Sequence, residues 1–328
     1  MKIAIAGSIA TDHLMTFEGR FADSLVIEQL DKISVSFLAS DLQIRRGGVA
    51  ANICFGMAML GQRPVLVGAV GDDFADYRSW LERHGVDCVS VHVSDTKHTA
   101  RFVCTTDRDM AQMATFYAGA MEEARFIELA PIAARIGGLD YVLVGADDPL
   151  AMLRHTQECR ERGIPFIADP SQQLAFADGE TIRRLIDGAD YLFTNEYEAH
   201  LTESKTGWSA ADIAERVRTR VITRGKDGAV VLTRGEEPVE VKVAAEVARV
   251  DPTGVGDAFR AGFITGLSAG LSHRLCAELG SMLATYVLET VGTQEYTLAK
   301  GEFLGRLGAA YGAGAADEIE PHITCGRP

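Results

Sequence analysis

The sequence predicts an α/β fold in which a doubly wound, mostly parallel sheet is flanked by helices. Short runs that are apolar on both faces recur along the chain, and longer helical patterns lie between them. Strands that are buried on both faces are typical of a parallel sheet covered by helices. Their alternation with helices indicates a doubly wound arrangement. Two further stretches lack a clear helix and are rich in β-forming residues, which predicts a small, discontinuous β-sheet lid.

The strands and helices of the predicted body alternate along most of the chain. Each strand is short and is followed by a glycine or by polar residues. The predicted strands are residues 3–6, 65–67, 141–144, 166–168, 191–193 and 230–232. The helical patterns lie at residues 49–60, 74–84, 151–162 and 181–187.

The predicted lid interrupts this body twice, at residues 13–46 and 91–118. Within it, segments 33–37 and 100–106 have the alternating polarity of antiparallel strands with one exposed face. An apolar face on such a sheet needs a partner, so we expect a homodimer through the lid. The α/β domain, which would bind nucleotide and substrate, is formed by the remaining residues, 1–12, 47–90 and 119–328.

The chain is acidic, and its charge restricts what it can bind. Of its 328 residues, 47% are hydrophobic and 24% are charged, which suffices for a large core without a disulfide or metal. Lysine and arginine total 32 and aspartate and glutamate 46, so the formal net charge is −14. This charge argues against nucleic acid and against an anionic membrane as partners. Any phosphate chemistry must therefore rely on local groups that hold an anion.

The cysteines and the apolar runs indicate a protein of the reducing cytoplasm. Six cysteines are scattered without a C-x-x-C pair, which argues against a zinc site or a disulfide framework. No stretch approaches the ~18 continuous apolar residues of a transmembrane helix. We therefore expect a cytoplasmic location.

The segment Asp251–Phe263 carries the clearest chemistry in the sequence. A glycine-rich turn runs directly into a helix, so the amides of Gly254, Val255 and Gly256 are expected at a helix N-terminus, where an anion is favoured. Asp257, in the first turn, is placed to take a proton from an attacking hydroxyl. Aspartate is also a good N-cap, so a purely structural role for Asp257 stays open at this point.

Three further segments accompany this one in a fixed order. Gly47–Gly61 begins a second helix with two glycines, Thr194–Glu198 lies at a strand end, and Thr223–Gly228 lies between two strands. Together with Asp251–Phe263, they resemble the signatures of the ribokinase-like (PfkB) family of carbohydrate and nucleoside kinases. The resemblance covers nearly the whole chain and implies the ribokinase-like fold.

A narrower resemblance points to the acceptor. The runs Gly7–Met15, Asp169–Leu174 and Asp251–Asp257 are similar to those of actinobacterial-type adenosine kinases. This similarity implies ATP-dependent phosphorylation of adenosine at the 5′-hydroxyl to give AMP, a purine salvage reaction. A sugar kinase of the same family, acting on ribose or a ketose, remains an alternative. A non-catalytic nucleoside-binding regulator on the same fold is the third hypothesis.

The resemblance implies how the transferred phosphoryl group is handled. Asp257 would be the general base, and the amides of Gly254, Val255 and Gly256 would form the anion hole. Such a division suits phosphoryl transfer, which depends mainly on positioning and charge stabilisation. Arg260, one turn after the base, is expected at the surface or facing phosphate.

The resemblance also implies a nucleotide and metal site. Asn195 and Glu198 would hold Mg²⁺, partly through water, although both also suit a simple strand-end turn. The residues implied to contact ATP are Asn195, Thr223, Gly225 and Gly228, of which the last three also suit a hairpin turn. A monovalent cation such as K⁺ is a further cofactor that the family implies.

On the substrate side, Asp12 would bind the ribose diol, since one carboxylate can accept from two adjacent hydroxyls. The other residues implied to recognise the sugar are Ser8, Ser36, Gly48 and Asn52. Phe102 and Phe116 would sandwich the base, unless they only form the lid core. Gln172 and Gln173 offer amides to a purine edge, and one of the two is expected to contact it.

Overall fold

The computed structural model describes residues 1–24 and 35–325. The strands are, in chain order, β1 (Ile3–Ala6), β2 (Ala10–Phe17), β3 (Asp41–Gly47), β4 (Val65–Val67), β5 (Ala69–Val70), β6 (His92–Val93), β7 (Ala100–Asp107), β8 (Gln112–Tyr117), β9 (Tyr141–Gly145), β10 (Phe166–Asp169), β11 (Tyr191–Asn195), β12 (Thr219–Thr223), β13 (Ala229–Thr233) and β14 (Val239–Val241). The helices are α1 (Phe21–Ser24), α2 (Val49–Met59), α3 (Ala75–Arg83), α4 (Leu129–Ile136), α5 (Pro149–Arg162), α6 (Gln173–Phe176), α7 (Gly179–Ile186), α8 (Glu196–Thr206), α9 (Ala210–Arg216), α10 (Val255–Ser268), α11 (His273–Leu288), α12 (Lys300–Tyr311) and α13 (Ala313–Ile319).

The large sheet has eight strands in the order β14-β13-β12-β11-β10-β9-β1-β4. The strands from β4 to β12 in this order are parallel, and β13 and β14 join the edge antiparallel. The predicted doubly wound, mostly parallel α/β sheet is therefore confirmed. Because the carboxyl ends of parallel strands share one edge, the loops that follow β1, β9, β10, β11 and β12 meet there, where such folds bind ligands.

The core lies in two apolar layers, one on each face of the large sheet. One layer packs α2, α10 and α11 against the sheet, around fully buried side chains such as Phe55, Phe193 and Phe263. The other layer packs α5 and α7 against the opposite face, around Phe166 and Ile182. Burial of the strands from both sides explains why their sequences are continuously apolar rather than alternating.

A second sheet has four strands in the order β3-β2-β7-β8. Its register aligns Asp12 with Arg45 on one side and with Phe102 on the other, and Phe102 is aligned in turn with Phe116. Since aligned residues point to the same face of a sheet, Asp12, Phe102 and Phe116 share one face. This sheet occupies the sequence regions of the predicted lid, whose exact domain boundaries stay a prediction.

One predicted lid strand is wrong where the structure describes it. Residues 33 and 34 of the predicted strand 33–37 lie outside the described residues, and residues 35–37 form no strand. The ring of Phe37 instead packs against those of Phe17 and Phe21, with centroids 4.9 and 4.8 Å apart. The edge strand that pairs with β2 is instead β3, whose alternating sequence follows a few residues later.

The helices that the structure describes are those of a globular α/β body. None of those within residues 1–24 and 35–325 combines the length and the apolar character that crossing a bilayer requires.

Candidate active site

The N-terminus of α10 lies at the centre of the site. Gly254 is its N-cap, with φ 77°, a left-handed conformation that favours glycine. A Cβ at this position would lie only 2.7 Å from Cγ2 of Thr293. The backbone turns tightly here, so the amides of Val255 and Gly256 fall in the first turn, where helix N–H groups have no intrahelical partner. An anion at this point would meet both these donors and the positive end of the helix dipole.

Asp257 is held beside these amides by Asn52. The Nδ2 atom of Asn52, on α2, donates a hydrogen bond to Oδ2 of Asp257 at 2.8 Å. Burial raises the pKa of Asp257 to about 7, with Asn52 and Arg260 opposing the rise and Asp169 and Glu198 adding to it. Asp257 does not cap the helix, because Gly254 occupies that position. A carboxylate that titrates near neutral pH is suited to accept a proton from a hydroxyl.

A buried ion pair lies next to Asp257, and the sequence did not predict it. Arg260 is 5% exposed and its Nη2 donates to Oδ1 of the fully buried Asp169 at 2.7 Å, while its Nη1 donates to the carbonyl of Gly256. The expectation that Arg260 lies at the surface or faces phosphate is therefore wrong. Its position four residues after Gly256 places it on the same side of α10, where the carboxylate at the end of β10 pairs with it and keeps it buried. The pair fixes α10 to the carboxyl edge of the large sheet.

The face of the lid sheet that carries Asp12 brings three predicted substrate residues into one row. Asp12 is half-buried, and Phe116 is 52% exposed, so an aromatic surface is open beside a carboxylate. Burial, followed by the charge of Asp251, raises the pKa of Asp12 to about 6. The carboxylate is therefore ionised at neutral pH and can accept hydrogen bonds from a diol.

Gly48 and Ser8 form the junction between the lid and α2. Gly48 has φ 94°, and a Cβ there would lie 2.6 Å from the carbonyl oxygen of Ser8 and 2.7 Å from the amide of Ala10. The Oγ atom of Ser8 accepts from the amide of Val49 at 3.0 Å and so satisfies one N–H at the start of α2. Gly48 thus permits a backbone contact that no other residue allows, and Ser8 supports the helix that carries Asn52.

The remaining predicted substrate residues differ in how far their polar groups are already used. The Nε2 atom of Gln173 donates to the carbonyl of Asp147 at 2.9 Å, whereas Gln172 is exposed and only accepts from the neighbouring Ser171 hydroxyl. Gln172 therefore has the amide that is freer to pair with a base. Ser36 lies exposed in the irregular segment before β3, where no hydrogen bond joins it to the other site residues that the structure describes.

A cavity of about 480 Å³ lies on the other side of the α10 N-terminus. It contains three of the predicted nucleotide residues: Thr223, which ends β12 at the carboxyl edge of the sheet, and Gly225 and Gly228, which follow it. The other walls are mostly apolar. The apolar residues are Val243, Ala244, Val250, Pro252, Val255, Phe259, Ala284 and Leu288, and the polar ones are Lys226, Glu246, Arg249, Asp251, Ser281 and Thr285. An apolar slot next to backbone donors suits a flat heterocycle with attached phosphates. Its apolar walls come from α10, α11 and the segment between β14 and α10, which the sequence patterns did not connect with this loop.

Asn195 and Glu198 form the N-terminal cap of α8. Oδ1 of Asn195 accepts from the amide of Glu198 at 2.8 Å, and Oε2 of Glu198 accepts from the amide of Asn195 at 2.7 Å. The strand-end turn and the metal role are compatible, because the cap leaves the Oε1 atom of Glu198 free. Burial raises the pKa of Glu198, which would make binding of a cation to its ionised form dependent on pH. A single free carboxylate oxygen fits Mg²⁺ held largely through its own water.

The family model described as pfkB family carbohydrate kinase matches residues 19–300 of this chain. The chain belongs to this family. It is accordingly a phosphotransferase with an alcohol acceptor, and kinases of this family use ATP with a divalent cation.

Individual members of the family are similar over most of the chain. A nucleoside kinase of Methanothermobacter thermautotrophicus is 32% identical over 270 residues, which cover 81% of this chain and 85% of that protein. The solved structure of a Burkholderia thailandensis nucleoside kinase in complex with inosine has a TM-score of 0.81 at 34% identity, covering 94% of this chain and 98% of that one. Its ligand-free form has a TM-score of 0.84 at 35% identity, covering 93% and 99%.

Proposed function

We propose that the protein transfers the γ-phosphoryl group of ATP to the 5′-hydroxyl of a nucleoside, with adenosine as the substrate and AMP as the product. The observation that carries the proposal is the position of Asp257. It lies in the first turn of α10, bonded to Asn52, and the 480 Å³ cavity is lined by Val255 and Gly256 of the same turn. On the lid sheet, Asp12, Phe102 and Phe116 share one face, which we propose to be the acceptor side. An acceptor and a donor site would thus meet at one proton acceptor and one group of amides.

In the proposed reaction, the O5′–H bond breaks as its proton passes to the carboxylate of Asp257. The O5′ atom forms a bond to the γ-phosphorus, and the bond from that phosphorus to the β–γ bridging oxygen breaks, so that ADP leaves. The amides of Gly254, Val255 and Gly256 would stabilise the charge on the transferring group. Asn195 and Glu198 would hold Mg²⁺, which neutralises phosphate charge. These local groups would compensate for the net charge of −14.

The lid residues favour a nucleoside over a bare sugar. Phe102 and Phe116 are adjacent on the face that carries Asp12, and an aromatic pair offers a purine a surface to stack on. A bare ribose would occupy the Asp12 side and leave both rings exposed. The similar kinases from Methanothermobacter and Burkholderia, the second solved with inosine, support the same class of acceptor. Inosine is therefore the alternative nucleoside, and Gln172 is the residue we propose to discriminate between the two purine edges.

The first experiment compares Asp257→Asn with the exposed control Asp317→Asn in steady-state assays. Adenosine, inosine, ribose and fructose are offered in parallel with ATP and Mg²⁺. We expect adenosine to give the highest kcat/KM, and we expect Asp257→Asn to lower kcat by about a thousandfold because the general base is lost. Asp317→Asn should keep the wild-type rate. Full activity of Asp257→Asn would refute the mechanism, and a higher kcat/KM for ribose or fructose would establish the sugar-kinase alternative.

We further propose that the protein forms a homodimer through the lid. The face of the lid sheet opposite to Asp12 exposes Leu42, Ile44, Met113 and Tyr117, each between 40% and 61% exposed. These side chains lie on the two edge strands, β3 and β8, of the same face. Several exposed apolar side chains on one sheet face are typical of a surface that is covered in the assembly. Sedimentation should give a dimer for the wild type and a monomer for Ile44→Glu, while Val247→Glu, exposed on the body, should stay dimeric. A monomeric wild type at micromolar concentration would contradict the proposal.

We further propose a cytoplasmic location and a requirement for a monovalent cation. The cytoplasmic location agrees with the six cysteines, all of which are free thiols in the structure. A requirement for a monovalent cation such as K⁺ rests on the family resemblance.

A further inference from the structure

A chain of buried hydrogen bonds continues behind Asn52, on the side away from Asp257. The Oδ1 atom of Asn52 accepts from Nε2 of Gln294 at 2.9 Å. The same Nε2 donates to the hydroxyl of Tyr77 at 2.6 Å, and that hydroxyl donates to the carbonyl oxygen of Gly47 at 2.9 Å. The chain thus connects α3, the loop before α12, α2 and α10, and it ends at Asp257.

The direction of every hydrogen bond in this chain is fixed by its first acceptor. A backbone carbonyl can only accept, so the single proton of Tyr77 points to Gly47. The Tyr77 oxygen can then only accept from Gln294, which must present its NH₂ group. Asn52 must in turn present its oxygen to Gln294, which leaves its own NH₂ group facing Asp257.

Burial makes the alternative orientation of the amides unfavourable. Gln294 is 1% exposed, Tyr77 5% and Asn52 8%, so little water can replace a lost partner. Rotating the Gln294 amide would place two carbonyl oxygens against each other. The Oε1 atom of Gln294 has no hydrogen-bond partner among the described residues, so the orientation is kept although one acceptor is unsatisfied. The hydroxyl of Thr293 lies 2.9 Å from the Asn52 oxygen and 2.9 Å from the carbonyl oxygen of Arg46. Its single proton can serve only one of these acceptors, so the orientation of Asn52 is set by Gln294.

We propose that Tyr77 and Gln294 are positioning residues, which hold Asn52 in the orientation that donates a hydrogen bond to Asp257. The inference rests on the proposed function, in which Asp257 is the base. Neither residue touches the reacting atoms. The second hydrogen of the Asn52 Nδ2 remains available to a substrate oxygen, so Asn52 meets the substrate only as a donor. The chain starts at Gly47, next to the Gly48 junction, and so connects the base of the lid to the proton acceptor.

The donor matters because it stabilises the ionised form of Asp257. If Asn52 could rotate, its carbonyl oxygen would face the carboxylate and favour the protonated form. The other charged groups that act on Asp257 are Arg260 on the same helix, Asp169 on β10 and Glu198 on α8. None of them takes part in the hydrogen bonds from Gly47 to Asp257. Loss of these hydrogen bonds should therefore reduce kcat at low pH and leave it nearly unchanged at high pH.

The test is the ratio of kcat in Gln294→Met to kcat in the wild type, measured with ATP and adenosine from pH 6 to pH 9. Loss of one neutral hydrogen bond corresponds to about a fivefold effect. We expect a ratio of about one fifth at pH 6 that rises toward one at pH 9. A ratio that does not change with pH, whatever its value, would overturn the proposal, because a merely structural defect lowers the rate equally at every pH.

Two companion variants complete the experiment. Tyr77→Phe removes one buried hydroxyl and should shift the ratio in the same direction by a smaller factor, and it carries the test if Gln294→Met does not fold. Tyr296→Phe removes the hydroxyl of another buried tyrosine, which lies in the same segment as Gln294 but takes no part in these hydrogen bonds. For this variant, the ratio of kcat to that of the wild type should stay at about one at every pH. ADP binding and thermal melting show that each variant is folded.

The two proposals can fail separately. An active Asp257→Asn would refute the role of the base, whatever Gln294→Met shows. An inactive Asp257→Asn together with a flat ratio for Gln294→Met and Tyr77→Phe would refute only the positioning role.

Discussion

The two sides of the α10 N-terminus are built in different ways. On the nucleotide side, the cavity is lined by one short loop, Thr223–Gly228, by backbone at the start of α10 and by mainly apolar walls, which a few polar side chains such as Glu246, Arg249 and Ser281 interrupt. On the substrate side, the candidate groups are side chains that come from α2 and from three strands of a separate sheet. The nucleotide side uses local backbone geometry, and the substrate side uses long-range strand register.

This difference predicts how each side responds to substitution. A backbone site tolerates changes of side chain as long as the turn and the cavity volume are kept. A register-dependent site depends on individual side chains, because each one is delivered by a different strand. A change on one side should therefore alter the affinity for one ligand and leave the affinity for the other nearly unchanged, unless the two sides are coupled through Asp257.

The largest difference between the effects on the two ligands is expected for Asp12→Asn. We expect KM for adenosine to rise by roughly thirtyfold, because hydrogen bonds to a charged acceptor contribute about 1.5–3 kcal/mol and the amide is a weaker acceptor of similar shape. Calorimetry should show ADP binding within twofold of the wild type. In the wild type, KM should also rise as the pH falls below about 6, since the carboxylate is then protonated. Asp12→Asn should lack this dependence.

The control for Asp12→Asn is Asp41→Asn, which removes an exposed carboxylate from the far end of β3 in the same sheet. It should leave KM for adenosine and its pH dependence unchanged. Equal losses of adenosine and ADP affinity in Asp12→Asn would show that the two sides are not separate.

The same contrast explains what the sequence could and could not predict. The parallel sheet was predictable because strands buried on both faces are continuously apolar, and the helix start at Gly254 was predictable because a glycine turn, an acidic first turn and an apolar helix are contiguous. The lid strand at 33–37 was not, because the ring of Phe37 found a cluster with Phe17 and Phe21 instead of a strand partner.

Groups that depend on contacts between distant segments could not be derived from local patterns. Arg260 lies in a helix whose sequence gives no sign that Asp169, on another strand, will bury it. Tyr77 and Gln294 are 217 positions apart in the chain, and neither belongs to a glycine-rich segment. A strand-end aspartate was the one available signal for Asp169, since carboxyl ends of parallel strands carry functional groups.

On the nucleotide side, Ala284→Leu should weaken ADP binding by a smaller factor than that by which Asp12→Asn raises KM for adenosine. Ala284 lines the 480 Å³ cavity from α11, so a larger side chain would take up part of the space next to Val255 and Leu288. We expect ADP to bind about tenfold more weakly, a loss of about 1.4 kcal/mol, which is at the low end for overpacking a well-formed site. KM for adenosine should remain within twofold of the wild type.

Ala310→Leu makes the same change of size at an exposed position on α12 and should leave ADP binding unchanged. Ala284→Leu and Asp12→Asn should then show opposite effects: the first weakens binding of the nucleotide, and the second weakens binding of the nucleoside. If Ala284→Leu instead weakened adenosine as much as ADP, the cavity wall and the lid row would have to communicate. The hydrogen bonds from Gly47 to Asp257 are one physical connection, among the residues that the structure describes, from the lid to the centre of the site, and the coupling should then weaken in Gln294→Met.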